Sequence, residues 1–241
     1  RYFGEEKVYD FTEPETHWGF VNGLKVHNCG EIGGIASLTT VCLLGSINLT
    51  QYVLLNELGE RTSDWDSFIE DVKTFTRMLD NVNDLSYISL PSYQWATDNL
   101  RQFGMGVNGL GSALMMLGIP YNSQAAVDFT KKICQLKENI TWQTSALLAK
   151  EKGTFQGYIK EKFENTDYFK SDRLSEETKN MLRKYGARNA KTTTNPPLGN
   201  TSVITGTSNG IEPVFNLEYE RVVICKEWPK GLSTDNIKNL F

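Results

Sequence analysis

Two thiols and a carboxylate stand close together in the first fifth of the chain. Cys29-Gly30-Glu31-Ile32 is followed, eleven residues after Glu31, by Cys42-Leu43-Leu44-Gly45-Ser46-Ile47-Asn48-Leu49. One sulfur that carries an unpaired electron, a carboxylate that accepts a proton and a second sulfur that closes a disulfide form a minimal set for radical reduction. On a tight loop Cys29 and Glu31, two residues apart, can face the same substrate. The rival reading of the same residues is structural, since a buried cysteine commonly behaves as a small inert hydrophobe. Cys29 also ends the triplet His27-Asn28-Cys29, which has a chemistry of its own. An Asn amide can attack its own carbonyl and cleave the next peptide bond, the Cys can hold an acyl group, and the His can protonate the leaving amine. A third candidate is Pro197-Leu198-Gly199-Asn200-Thr201-Ser202. Its glycine permits close backbone approach, and its amide and hydroxyl donors can surround an anion, above all where a helix begins. An ordinary surface turn is the alternative for that stretch.

The elements that must position these groups change character near residue 28. Residues 1–28 read as all-β, with Lys7-Val8-Tyr9-Asp10-Phe11 and Gly19-Phe20-Val21 as strands and Asn22-Gly23 as the turn before Leu24-Lys25-Val26. Beyond Cys29 helical periodicities alternate with short extended runs, which favours an α/β fold. Ser63 is read as the cap of a helix carrying Trp65, Phe68, Ile69, Val72, Phe75, Leu79 and Val82 on one stripe. Gly106 to Leu117 is read as a second helix stopped by Gly118. A third is expected from Ser123 to Gly153 and a fourth from Ser175 to Gly186. Lys191-Thr192-Thr193-Thr194 and Val222-Val223-Ile224 are expected as short strands. The expected division is therefore residues 1–28 and residues 29–241.

Composition narrows the function. With 241 residues, 39% apolar and 22% charged, the chain buries a real core, which excludes disorder. A net charge of −4 without runs of like charge argues against direct nucleic-acid binding. No apolar run reaches the roughly 20 residues of a membrane span and no signal peptide is visible, so a cytoplasmic location is expected. Four cysteines (Cys29, Cys42, Cys134, Cys225) without CxxC spacing are too few for a disulfide scaffold, and Cys134 and Cys225 read as core thiols. No metal-ligand pattern stands out.

Two resemblances sharpen these readings. Val8-Tyr9-Asp10-Phe11, His17 and Asn22 to Cys29 resemble the C-terminal splicing blocks of inteins. That resemblance makes Asn28 the cyclising residue, His27 and His17 its assistants, Asp10 the group that tunes the acceptor thiol, and Cys29 the first residue of the host protein. It implies a short all-β, Hint-type fragment that lacks the N-terminal splicing nucleophile. From Cys29 onward the chain resembles the catalytic subunit of ribonucleotide reductase: Cys29, Glu31 and Cys42 match its radical loop and redox strand. Arg101 to Leu110 looks like its glycine-rich helix start, and Pro197 to Ser202 with Gly206 to Pro213 look like its substrate-phosphate loop and the segment after it.

The implied fold is half of a ten-stranded α/β barrel with a finger loop. The implied activity is reduction of ribonucleotides to deoxyribonucleotides, with Cys29 as thiyl radical, Glu31 as base, Cys42 as reductant and Pro197, Leu198, Gly199, Asn200, Thr201 and Ser202 around the phosphate. Adenosylcobalamin is the implied radical source, a separate di-metal subunit the alternative. A ribonucleotide, an upstream fragment of the same enzyme and a thioredoxin- or glutaredoxin-type reductant are the implied partners. The family's Asn before its radical Cys has no counterpart here, because its position falls in the splicing segment; an unspliced chain is expected to be inactive as a reductase. Two rivals remain: a splicing acceptor with no reductase activity of its own, and a non-catalytic α/β binding module with structural cysteines.

Overall fold

A computed structural model describes residues 18–21, 24–27, 41, 43–57 and 59–214. Strands β1 (Trp18–Val21) and β2 (Leu24–His27) pair antiparallel, Trp18 opposite His27 and Val21 opposite Leu24. That is the register a two-residue Asn-Gly connection demands. Next, β3 (Leu44–Asn48) leads through a 3-10 turn (Leu49–Tyr52) into a second antiparallel hairpin, β4 (Val53–Leu55) with β5 (Arg61–Ser63). Helices α1 (Trp65–Leu85) and α2 (Pro91–Leu100) precede β6 (Gly104–Asn108), α3 (Leu110–Leu117) and the 29-residue α4 (Gln124–Lys152). Short α5 (Lys160–Glu164) and α6 (Asp167–Lys170) come before α7 (Glu176–Tyr185) and α8 (Gly199–Thr205).

The strands β3 and β6 run parallel, from Leu44 opposite Gly104 to Asn48 opposite Asn108, and Met105 adds a parallel bridge to Thr193. The architecture is mixed α/β, and among the described residues the barrel is not closed. Parallel neighbours need long crossovers, and the one from β3 to β6 already takes residues 49–103. Of the all-β segment, only the β1–β2 hairpin lies within the described residues.

Helix ends follow the local chemistry. Ser123 and Ser175 accept hydrogen bonds from Ala126 N and Thr178 N, while Gly153 and Gly186 end the same two helices with positive φ. Three expectations need correction. The α1 cap is Asp64, whose carboxylate accepts from Ser67 N, and Ser63 ends β5 instead. Residues 104–108 form a buried strand rather than the start of a helix, and α3 begins at Leu110 after Gly109 turns the chain at φ +74°. The strand is held by its parallel pairing with β3 and the Thr193 bridge, and Gly106 lets residues 194–196 close over it, since a Cβ there would lie 2.6 Å from Pro196 Cδ. The expected 191–194 strand is limited to the Thr193 bridge.

Burial divides into two cores sharing α4. In the first, Phe68, Val72 and Leu79 of α1 meet Ile47, Met105 and Val107 of the sheet, with Leu110 and Leu114 of α3 and Ile133 of α4. Each fully buried side chain of this size is worth about 1.5–3 kcal/mol. In the second, Trp142 and Ala146 of α4 pack against Phe155, Phe169, Leu174 and Leu182. Between them Asp80, fully buried, accepts from Arg101 Nε at 3.0 Å and Asn189 Nδ2 at 2.9 Å, with Arg188 and Lys152 at 3.5 and 3.6 Å. One buried carboxylate thus ties α1, the end of α2, the end of α4 and the segment that enters 191–194.

Candidate functional site

Where β6 ends, its strand, the start of α3 and the α8 region converge. Asn108, the last residue of β6, is 1% exposed. Its Nδ2 donates to Thr205 Oγ1 at 2.9 Å and Thr207 Oγ1 at 3.0 Å, and its Oδ1 accepts from Gly210 N at 3.0 Å. A backbone N–H can only donate, so the Gly210 bond fixes which way the amide faces. A second tie lies beside it: Ser112 N donates to Ser208 Oγ, and Ser208 N donates to Ser112 Oγ. Gly111 permits this approach, since a Cβ there would come within 2.8 Å of the Glu212 carbonyl oxygen.

The 197–202 stretch sits on this base. Leu198 N donates to Asn209 Oδ1 at 2.8 Å, and α8 begins at Gly199 without a side-chain cap. First-turn N–H groups have no acceptor within their own helix, so Gly199, Asn200 and Thr201 are the donors an incoming anion could use. A Cβ on Gly199 would meet nothing within 4 Å, which leaves room for a ligand against the backbone. Asn200 and Thr201 are exposed, as is Pro197. Ser202 is buried and its Oγ donates to Gly199 O at 3.0 Å, so it shapes the turn from inside. Thr205 Oγ1 donates onward to Thr201 O at 3.0 Å.

Further back along β6, Lys137 of α4 is 4% exposed and donates to Met105 O at 2.7 Å and more distantly to Thr194 O at 3.4 Å. Burial pushes its ammonium down to about 8 against the opposing pull of Cys134 and Glu138. Cys134 is a half-buried free thiol raised by its own burial. Ser46 Oγ, beside Gly106 on the sheet face that Pro196 covers, and Thr192 Oγ1 are buried without a hydrogen-bond partner among the described residues. Among the described residues no three His, Cys, Asp or Glu side chains gather into a group able to hold a metal ion. No described helix is long and apolar enough to cross a membrane.

Of the residues singled out in the sequence, 197–202 are brought together at the β6 end. Cys29, Glu31, Cys42, Asp10, His17, Asn28 and Cys225 lie outside the described residues, and His27 is described only as the backbone end of β2. Sequence reasoning placed Asn108, Ser208 and Asn209 inside family-like segments without giving them a role, and passed over Ser112. The available signal was the clustering of hydrogen-bonding residues in Thr207-Ser208-Asn209-Gly210, which reads as a turn until its partners are known.

The parallel β3–β6 pair, flanked by helices and with the start of α8 held near the β6 end, defines a mixed α/β protein. Comparison with known proteins specifies the family: the barrel domain of ribonucleotide reductase matches residues 24–234, and the chain belongs to that family. It is 32% identical over 196 residues to a vitamin B12-dependent ribonucleoside-diphosphate reductase of Mycobacterium tuberculosis, covering 81% of this chain and 25% of that protein. A protein of the same description from Thermoplasma acidophilum is 34% identical over 76% of this chain and 21% of its own length. A ribonucleoside-diphosphate reductase subunit alpha of Chlamydia muridarum is 32% identical over 78% and 19%. The chain thus spans about a fifth to a quarter of these curated relatives.

Proposed function

We propose that this chain supplies the C-terminal part of the catalytic barrel of an enzyme that reduces ribonucleoside diphosphates to their 2′-deoxy forms. The observation that carries the reading is the cradle at residues 197–202, standing at the end of the parallel strands in a chain of the reductase family. Its free first-turn N–H groups and the open space at Gly199 suit the substrate's phosphate oxygens. In this reading the Cys29 sulfur takes the 3′ hydrogen atom from the ribose, and Glu31 accepts the 3′ hydroxyl proton as water leaves C2′. Cys42 and a cysteine of the upstream portion then give two electrons and end as a disulfide, while Cys29 returns the hydrogen atom. A thioredoxin- or glutaredoxin-type protein reopens the disulfide. Adenosylcobalamin, which the names of two relatives favour, or a separate di-metal subunit would supply the unpaired electron. No described residue of this chain is assigned to hold either.

The experiment is deoxynucleotide formation by the full-length spliced protein. Cys29→Ser and Cys42→Ser should abolish turnover with the external reductant, and Glu31→Gln should lower kcat by about 10²- to 10⁴-fold. Retained activity in both cysteine variants would sink the radical assignment and favour a binding module.

The splicing blocks support a second reading of residues 1–28, in which they excise themselves and leave Cys29 joined to an upstream host fragment. The β1–β2 hairpin suits the compact β segment such a junction uses. Mixing the chain with a matching N-terminal intein fragment should yield a host portion about 28 residues shorter. Unchanged mobility on a gel would dismiss this reading while leaving the reductase assignment in place.

A further inference from the structure

We propose that Asn108 is a positioning residue for the phosphate end of the substrate, holding the 198–201 cradle at a fixed place relative to β6. The inference rests on the cradle reading above. All three polar functions of the Asn108 amide are spent on one segment, residues 205–210, and none on its own strand. That segment controls both ends of the cradle. At one end Thr205, which accepts from Asn108 Nδ2, donates to Thr201 O at 3.0 Å. At the other end Asn209, next to the Gly210 N–H that Asn108 accepts, takes the Leu198 N–H at 2.8 Å. Hydrogen bonds therefore lead from the strand to residue 201, and through the Asn209–Gly210 backbone to residue 198, the two sides of the proposed anion position.

A general stabilising role explains less of this pattern. A buried strand end next to an apolar core is filled at lower desolvation cost by an aliphatic side chain than by an amide. The Ser112–Ser208 pair and the Gly109 N to Ser208 O and Leu110 N to Gly210 O bonds already fasten the same segment to α3. Loss of the amide should then leave the segment attached while the cradle shifts by a fraction of an ångström. A displacement of that size weakens binding of an oriented ligand more than it weakens the fold.

The test uses the full-length spliced reductase with its external reductant and a ribonucleoside diphosphate. Asn108→Ala should raise KM about tenfold, with kcat within about threefold of the parent and an unchanged folded fraction. Thr205→Val, which removes the link to Thr201, should raise KM about fivefold, and Thr205→Ser, which keeps the hydroxyl, should restore it. If Asn108→Ala yields no folded protein, the Thr205 pair decides alone: a KM equal in Val and Ser variants overturns the proposal. Lower kcat or folded fraction with unchanged KM also overturns it. Gly199→Val separates this inference from the reading beneath it. An unchanged KM there removes the cradle and the inference together, whereas a raised KM there with no effect at Asn108 and Thr205 removes the inference alone.

Discussion

The cradle end of the sheet and the aromatic cluster under α7 are held by opposite means. Around Trp142, rings meet at centroid distances of 5.7 Å with Phe163 and 6.1 Å with Tyr168, and Phe163 meets Phe169 at 5.7 Å. Such contacts are numerous, individually weak and tolerant of small shifts. The β6 end, where the cradle is proposed, instead depends on a few directional bonds from Asn108, Asn209, Ser112 and Ser208, and on glycines whose missing side chains allow backbones to touch. The contrast teaches that mass of burial and accuracy of placement are supplied by different parts of one domain. Substitutions should therefore separate the two regions, costing stability in one and ligand affinity in the other.

The largest effect is expected between them. Asp80→Ala leaves buried Arg101 with only the part-exposed Asp84 as a carboxylate partner and buried Asn189 without its acceptor, and should cost about 3 kcal/mol, seen as a lower midpoint in urea unfolding. If the loss were under 1 kcal/mol, the buried network would be ornamental to the fold. Leu182→Ala, in the aromatic cluster, should cost about 2–5 kcal/mol without changing KM in the full-length enzyme. A KM shift there would erase the contrast. Lys137 sharpens it through pH. The unfolded lysine keeps its proton to about 10.5 and the folded one releases it near 8, so between those values the unfolded chain binds more protons. Stability should therefore rise by up to about 2 kcal/mol from pH 8 to 9.5, and Lys137→Met should flatten that rise. Above pH 10 the trend reverses, because burial and the Glu138 carboxylate raise the Tyr168 phenol, and burial with Asp71 raises Tyr52. The smallest effect is expected for Ser112→Ala, about 1 kcal/mol from one of two reciprocal bonds.

Much of the helical framework was legible because it rests on local chemistry. Ser123 with Gly153 and Ser175 with Gly186 mark α4 and α7 at both ends, and the α1 stripe is set by its own 3.6-residue period. The strand at 104–108 was misread because Val107, Leu110, Leu114 and Leu117 keep helical spacing across the Gly109 turn, and that turn is enforced by packing against Thr207, far away in sequence. Helix α2 was missed, its Pro91 start followed by a mixed aromatic and polar sequence with a weak apolar face. Gly-Asn-Thr-Ser-Val-Ile-Thr has little intrinsic helical preference, and α8 stands on bonds from residues 108 and 209. The residues of the proposed cradle could be picked out in the sequence, but the bonds that hold the 197–202 segment could not, because hydrogen bonds such as Asn108 to Thr205, about 100 residues apart, leave no local pattern.

The long α4 helix passes from one core into the other without a break. An inserted residue in its middle would rotate one half by about 100° relative to the other. Ile133 and Trp142 would then no longer both point at their own cores. Insertions and deletions among relatives should accordingly gather in the connections on either side of this helix, and its length should be among the least variable dimensions of the domain.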